Sequence, residues 1–548
     1  MQSLAAESTV MLGQSTEDVV AFLRRPAIYP DRTDNVQVIE THISWIFLTD
    51  RFAYKLKKPV HFEFVDFSTV IARRKACEEE VRLNKRLAAD VYLKVVSVTI
   101  GAQGQLVLGG EGTPVDWVVK MRRLPAEVTL ERLASECRLT REQVNLIATT
   151  IADFYTQAAP LIVLPDQYRA AIERHVRANA AELARMEYSV DEAQVRRIHA
   201  AQLRFLRLRQ SLFDERAVDG RIVEGHGDLR PEHIYFEGNR PLIIDCVEFS
   251  PELRRLDVAD ELSFLAMECD RLGIEWVGSQ VIDVYRRRSG DAIPDSLLAF
   301  YMTYRACVRA KVAALRASQL SPDERGRTAD LLTEYLALAD KYARRLGPPL
   351  VFVVHGLMGT GKSTLAAALS ETLSLEVLST DTVRRELFPP MAQSLGYNEG
   401  HYAPELRRRV YDELLQRAGL LVNQGTSVVM DGAFLTNELR HAAVALAQRA
   451  GGVPLLVRCQ CTAAVAQARI AARLVAGRSS SEARPDLFSQ QERDDEPPLP
   501  ILPQMKVDST TSLGEQIDAV IQRLVIESTR QTQSPLSTNA VPVHVAKK

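Results

Sequence analysis

The 548-residue chain is poor in cysteine, nearly free of net charge and without any long apolar run. Its seven cysteines are odd in number and include no C-x-x-C pair, which argues against a disulfide framework and for reduced thiols. Cys459 and Cys461 stand two apart in an apolar run and so share a strand face. With no second His or Cys pair at ligand spacing, core packing explains them better than zinc. No apolar stretch approaches the roughly 20 residues that span a bilayer. Residues 1–15 lack a basic region followed by an apolar core, so no secretory leader is expected. These absences predict a cytoplasmic protein with no membrane partner. A formal net charge of −2 gives no general electrostatic reason to favour nucleic acid either.

What the chain does have is length and one complete phosphate-binding motif. At 548 residues it exceeds what one hydrophobic core supports, so roughly two to four domains are expected. Gly356-Leu357-Met358-Gly359-Thr360-Gly361-Lys362-Ser363 fits G-x-x-x-x-G-K-[ST] in full, between the apolar run Leu350 to Val354 and the helix-like Thr364 to Leu373. Gly356, Gly359, Thr360 and Gly361 let backbone N–H groups turn inward around phosphate oxygens, and the helix through Ser363 and Thr364 adds the positive end of its dipole. Lys362 is expected to reach the β- and γ-phosphates and the Ser363 hydroxyl to bind Mg²⁺, so ATP and Mg²⁺ are the expected cofactors.

Arg345-Leu346-Gly347-Pro348-Pro349 marks a boundary, since glycine caps a helix and prolines do not extend one. Beyond it strand and helix alternate: helix 363–373, strand 376–378, helix 403–424, strand 427–430, helix 436–450, strand 454–459, helix 462–475. That pattern predicts an α/β domain over 350–527 with a parallel sheet. Asp381 and Arg384, at i and i+3 in a first helical turn, suit an acceptor hydroxyl and an anionic group respectively. The plainer alternative is that Asp381 caps its helix. Asp431 ends a strand, the place of a second Mg²⁺ contact in P-loop proteins. Arg469, Arg473 and Arg478 recur along one helix and its exit, and Arg473 and Arg478 are candidates to neutralise a transferring phosphoryl group, against a solvated basic face. The arrangement resembles the small-molecule and polynucleotide kinases of the P-loop class, gluconate kinase included. After Ser528 the composition predicts a disordered tail over 528–548.

The first half begins with alternating strands at His42 to Leu48 and Phe52 to Lys57, which put Phe52, Tyr54 and Leu56 on one face and Lys55 and Lys57 on the other. Ser68 to Ala88 has helical period, with Glu80 on its main stripe and Glu79 about 100° off it. Further strands reach Met121, and from Thr129 the chain turns helical. His226-Gly227-Asp228 is followed, seventeen residues after Asp228, by Asp245 at the end of Pro241-Leu242-Ile243-Ile244. An Asp in a tight loop accepts a proton from an attacking hydroxyl, and one at a strand end holds Mg²⁺. These motifs resemble the signature of the aminoglycoside phosphotransferase and choline kinase family, whose fold is that of the protein kinases.

The resemblance implies an α+β protein kinase-like domain over 16–346, with a small lobe at 16–125 and a large lobe at 126–346. It makes Lys55 and Glu80 the phosphate-pairing lysine and its helix partner, Asp228 the base and Asp245 a metal ligand. Where that family has a metal-binding Asn five residues after the Asp, this chain has His233, a softer ligand that suits Mg²⁺ poorly. His226, Asp257 and Asp260 read as anchors of the loop. The fused layout as a whole resembles bacterial bifunctional aminoglycoside phosphotransferase and ATP-binding proteins.

The expected function is transfer of the γ-phosphoryl of MgATP to a hydroxyl of a small molecule, with the P-loop domain as the surer unit. Two alternatives stand beside it: a 5′-hydroxyl nucleic-acid kinase, and a P-loop enzyme regulated by a catalytically impaired kinase-like domain.

Overall fold

The computed structural model of the protein describes residues 15–62, 65–185, 188, 190–321, 326–388, 400–475 and 485–533. They divide into two compact units. One lies within Met1–Tyr168, Leu212–Val312 and Asp330–Leu338, the other within Arg169–Ser211, Ala313–Ala329 and Ala339–Lys548. Residues 169–211 thus join the second unit, where Leu208, ending helix Glu192–Leu208, packs into the same core as Leu365 and Leu369.

The first unit holds six strands in one antiparallel sheet: β1 Gln37–Glu40, β2 Ser44–Leu48, β3 Phe52–Lys57, β4 Tyr92–Ile100, β5 Leu106–Leu108 and β6 Thr113–Arg122, in spatial order β1-β2-β3-β6-β4-β5. The two-residue period of β3 sends its side chains to different duties. Tyr54 and Leu56 join a core with Val19, Phe22 and Leu23 of helix Thr16–Leu23. Ala53 packs on the other face with Cys77 and Ala88 of helix Val70–Ala88, and there Lys55 and Lys57 meet Glu80. That helix starts where the Thr69 side chain accepts the Ala72 N–H and buries Ala76, Cys77, Glu80, Leu83, Asn84 and Ala88, the rhythm of one helical face. A small antiparallel sheet with one crossing helix, followed by a mostly helical lobe, makes this unit α+β.

The second unit is α/β. Its five parallel strands, β7 Leu350–His355, β8 Glu376–Ser379, β9 Val428–Asp431, β10 Val453–Gln460 and β11 Gln504–Asp508, lie in the order β8-β9-β7-β10-β11. Every residue of β7 is buried, because helices cover both faces of a parallel sheet. Val351 and Val353 face Val410 and Leu414 on one side, and Leu350, Phe352 and Val354 face Leu365 and Leu369 on the other. Full burial of each such side chain contributes about 1.5–3 kcal/mol. The chain leaves β7 towards one edge and later crosses to the opposite side, so the carboxyl end of β7 is a switch point, the place where open α/β sheets bind ligands.

One expectation is corrected at the C-terminal end. Helix Leu513–Gln533 continues through residues 528–533, which composition had placed in a disordered tail. Val520 and Leu524, with Ile517 and Ile521 beside them, dock the helix on the core, and extending a docked helix costs far less than starting one. Residues 534–548 lie outside the described residues. No helix among the described residues is long and apolar enough to cross a membrane.

Candidate active sites

The loop from Gly356 to Ser363 joins buried β7 to helix Lys362–Leu373, which starts directly after Gly361. Gly356, Gly359 and Gly361 have φ of 135°, 77° and 88°, values that L side chains adopt only with strain. Space demands glycine as well: a Cβ would stand 2.4 Å from the Cys459 carbonyl oxygen at Gly356 and 2.5 Å from that of Ala466 at Gly359. Lys362 Nζ donates to the Leu357 carbonyl at 2.7 Å, as does Thr360 Oγ1 at 2.7 Å. Gln491 accepts the Met358 N–H at 2.6 Å.

Strand register brings carboxylates to this loop. Val354, Asp431 and Ser379 are neighbours across β7, β9 and β8, and Thr380 Oγ1 donates to the Asp431 carbonyl at 3.3 Å. Burial pushes the Asp431 carboxyl up, against a hydrogen bond with Ser363 and the charge of Lys362. A buried carboxylate joined to the P-loop hydroxyl is a donor pair that fits a hard divalent cation. Burial also lowers the Lys362 ammonium below the usual lysine range, with Asp431 and Asp381 acting in the opposite direction.

Capping belongs to Ser379, whose hydroxyl accepts the Asp381 N–H at 3.3 Å. Asp381 Oδ1 instead meets Arg384 Nη1 at 2.6 Å, as their three-residue spacing in one helix allows. The Arg384 guanidinium lies over the Tyr402 ring, 4.3 Å from its centroid, and its Nε is buried without a hydrogen-bond partner among the described residues. Of the recurring arginines, Arg473 is exposed near the end of helix Ala463–Val475 and its charge reaches Lys362. Arg469 is committed elsewhere, donating to Ser509 Oγ at 2.9 Å and the Ser509 carbonyl at 2.8 Å. Arg478 lies outside the described residues.

The second constellation lies in the first unit. Lys55 Nζ sits 2.9 Å from Glu80 Oε1 and 2.8 Å from Asp245 Oδ1. Burial opposes the charge of Asp245, but Lys55 beside it holds the carboxyl well below the usual carboxylate range. Asp245 has φ of 65° and its N–H donates to Tyr92 Oη at 3.1 Å. Helix Val70–Ala88 reaches the same segment through Asn84, whose Oδ1 accepts the Cys246 N–H at 2.9 Å.

Asp228 lies in the loop after strand Ile222–Glu224. Its Oδ2 accepts from Arg230 Nη2 at 2.8 Å, and Arg230 with His233 lowers its carboxyl against the effect of burial. Glu261 Oε2 accepts the N–H groups of His226 and Gly227 at 2.6 and 2.9 Å, while Asp260 pairs with Arg305 at 2.7 Å and Asp257 accepts the Ala259 N–H. The His226 ring spans the loop: Nδ1 accepts the Asp228 N–H and Nε2 donates to the Ile244 carbonyl.

His233 has the opposite tautomer. A carbonyl only accepts, so Nδ1, 2.9 Å from the Asp228 oxygen, carries the proton. A guanidinium only donates, so Nε2, 3.3 Å from Arg230 Nη2, presents its lone pair. Nε2 also lies 3.7 Å from Asp245 Oδ2, but its lone pair is taken by Arg230, so a cation between them would have to displace that guanidinium.

Comparison with known proteins follows this division. The uncharacterized protein Rv2004c of Mycobacterium tuberculosis is 35% identical over 448 residues, which cover 80% of this chain and 86% of that protein. The chain belongs to that protein's family. A family model described as an AAA domain matches residues 351–498. Among solved structures, an aminoglycoside 2′-phosphotransferase-IIIa in complex with GDP is 16% identical at a TM-score of 0.36, covering 60% of this chain and 98% of its own. A gluconokinase from Sinorhizobium meliloti is 18% identical at a TM-score of 0.25, covering 34% of this chain and 98% of its own.

The two candidate sites of this chain bring together most of the residues singled out by sequence: Lys362, Ser363, Asp381, Arg384 and Asp431 in one, Lys55, Glu80, Asp228, His233 and Asp245 in the other. Three further residues at these sites escape sequence reasoning as site members. Lys57 pairs with Glu80, its other partner being the buried Glu248 behind the site, Arg230 covers Asp228, and Gln491 holds the P-loop backbone. The alternation that paired Lys57 with Lys55 on one strand face was the available signal for the first.

Proposed function

We propose that the chain is an ATP-dependent phosphotransferase whose P-loop unit moves the γ-phosphoryl group of MgATP to a hydroxyl of a small molecule. The observation that carries this reading is the pairing of Asp381 with Arg384 in the first turn after β8, beside Asp431 at the end of neighbouring β9, with the charges of both carboxylates acting on Lys362. A mechanical ATPase needs no acceptor-side carboxylate with a stacked arginine beside it. Glycine N–H groups and Lys362 hold the triphosphate, and Ser363 and Asp431 would hold Mg²⁺, which neutralises phosphate charge. Arg384 takes one oxygen of Asp381, leaving the other to accept the acceptor's proton as its oxygen bonds to the γ-phosphorus. The bond from that phosphorus to the β-bridging oxygen breaks and ADP leaves. Arg384 favours an acceptor with an anionic group.

The first unit is a second nucleotide site, with Lys55 and Glu80 for the α- and β-phosphates and Asp245 with His233 for the cation. Arg230 on the Asp228 carboxylate favours a further reading, in which this unit binds nucleotide with little transfer of its own.

The test is a screen of sugars, sugar acids, aminoglycosides and 5′-hydroxyl oligonucleotides with labelled ATP. It uses the full chain and its Lys362→Ala and Asp228→Asn variants. Transfer that survives Lys362→Ala but not Asp228→Asn moves the activity to the first unit, and ATP hydrolysis unchanged by Lys362→Ala overturns the P-loop assignment.

A further inference from the structure

The nucleotide site of the first unit contains one lysine more than phosphate binding calls for. Lys57 ends β3 two residues after Lys55, its side chain is 0% exposed, and its Nζ lies 2.6 Å from Glu80 Oε2. The same ammonium pairs with Glu248 and lies 5.2 Å from the centre of the Phe67 ring. Glu80 is therefore divided, with Oε1 on Lys55 and Oε2 on Lys57.

The five groups form one line: Glu248, Lys57, Glu80, Lys55, Asp245. Side-chain exposure along it is 4%, 0%, 0%, 10% and 44%, so the line runs from the interior to an open end at Asp245. Three carboxylates face two ammonium groups, which leaves one negative charge in excess. A buried lysine–carboxylate pair does not explain itself by stability, since apolar residues of equal volume commonly do as well or better. Its place in the line supplies a reason. With one oxygen held by Lys57, Glu80 meets Lys55 through Oε1 alone, as an ion pair at 2.9 Å without a hydrogen bond, and Lys55 donates to Asp245 at the open end. Without Lys57, both oxygens of Glu80 turn to Lys55 and draw it inward, while Glu248 stays buried without a cation.

We propose that Lys57 is a positioning residue of this nucleotide site, holding Glu80 so that Lys55 stays available to the phosphates. The proposal rests on the reading of the first unit as a nucleotide site, and the experiment separates the two. ATP binding with Mg²⁺ is measured by calorimetry on the full chain carrying Lys362→Ala, which silences the P-loop, together with thermal unfolding. Lys55→Met is the control and is expected to weaken binding about tenfold or more, the scale of a lost charge-assisted hydrogen bond. Lys57→Met combined with Glu248→Gln removes both members of the buried pair, so stability returns close to that of the parent while ATP binding remains about tenfold weaker. A structural role would restore both. Glu248→Gln alone leaves Lys57 on Glu80 and is expected to bind ATP within about twofold of the parent, an outcome open to measurement even if the double variant does not fold. Binding unchanged by Lys55→Met overturns the nucleotide site and the proposal with it. An effect of Lys55→Met accompanied by normal binding in the folded double variant overturns the role of Lys57 alone, as does strong loss in Glu248→Gln.

Discussion

Lys55 Nζ lies 2.8 Å from Asp245 Oδ1 although 190 residues separate them in sequence. The contact joins a strand lysine to the carboxylate that would face the cation, so the proposed phosphate and cation sites of the first unit would share one ion pair. Asp245→Asn in a Lys362→Ala background is expected to retain binding of free ATP and to lose the gain in affinity that Mg²⁺ or Mn²⁺ brings. Calorimetric titration with and without the divalent ion reads the difference, and a metal-dependent gain that survives the change contradicts the assignment.

In the proposed nucleotide site His233 Nε2, 3.7 Å from Asp245 Oδ2, would leave Arg230 to meet the cation, where an amide oxygen would favour Mg²⁺. The wild-type first unit is expected to prefer Mn²⁺ over Mg²⁺ with ATP, and His233→Asn to shrink that preference about tenfold, in line with the greater affinity of imidazole for later metals. Electron paramagnetic resonance of Mn²⁺ displaced by Mg²⁺ measures it directly. An unchanged displacement curve removes His233 from the cation site.

On the acceptor side of the P-loop, Asp381→Asn is expected to lower kcat by about 10²–10⁴, the range of general base catalysis, with little change in the KM for ATP. Arg384→Ala should act chiefly on the KM of the acceptor. Steady-state transfer with the acceptor found by screening separates the two, and a shared effect on ATP KM alone would place both residues on the nucleotide instead.

The parts of these sites that lie in contiguous sequence were legible before any fold. The P-loop is local, and its glycines must be glycine for reasons of φ and of approach to Cys459 and Ala466. Periods of two and 3.6 place Lys55 and Glu80 on their strand and helix faces, and their pairing comes from the resemblance to the phosphotransferase family. Pairings across the fold were not legible: nothing in spacing tells which of many carboxylates meets Lys57, and Glu248 is 191 residues away. Nor does period distinguish Arg469, spent on Ser509, from Arg473 four residues on. The helix Glu192–Leu208 shows the same limit, because its apolar stripe predicts a buried face without saying which core receives it.

Gly359→Ala tests the loop itself. The added methyl meets the Ala466 carbonyl at 2.5 Å in a left-handed conformation, which costs roughly 1–2 kcal/mol from backbone strain before any clash. ATP binding at the P-loop should fall at least about tenfold, because the backbone N–H groups lose their aim. Equal affinity in the folded variant would show that the cradle tolerates a side chain.

His355 ends β7 immediately before Gly356, fully buried, with neither ring nitrogen in a hydrogen bond among the described residues. Burial, reinforced by Arg440, Arg458 and Lys362, pushes its pKa down from 6.5 to about 3. The folded chain therefore keeps this imidazole neutral, while the unfolded chain protonates it as pH falls through 6.5. In that window the unfolded state binds more protons, so stability is constant above about pH 6.5 and is lost on acidification until the folded pKa is reached. The loss from this group is about 2 kcal/mol at pH 5. His355→Gln keeps a neutral hydrogen-bonding side chain and removes the titration. Urea unfolding of both proteins at pH 7.5 and pH 5, followed through the transition that an ATP analogue at the P-loop stabilises, should show the wild type losing more stability than the variant. Identical losses would mean that His355 takes up its proton without unfolding the strand, and that the cations around it are screened.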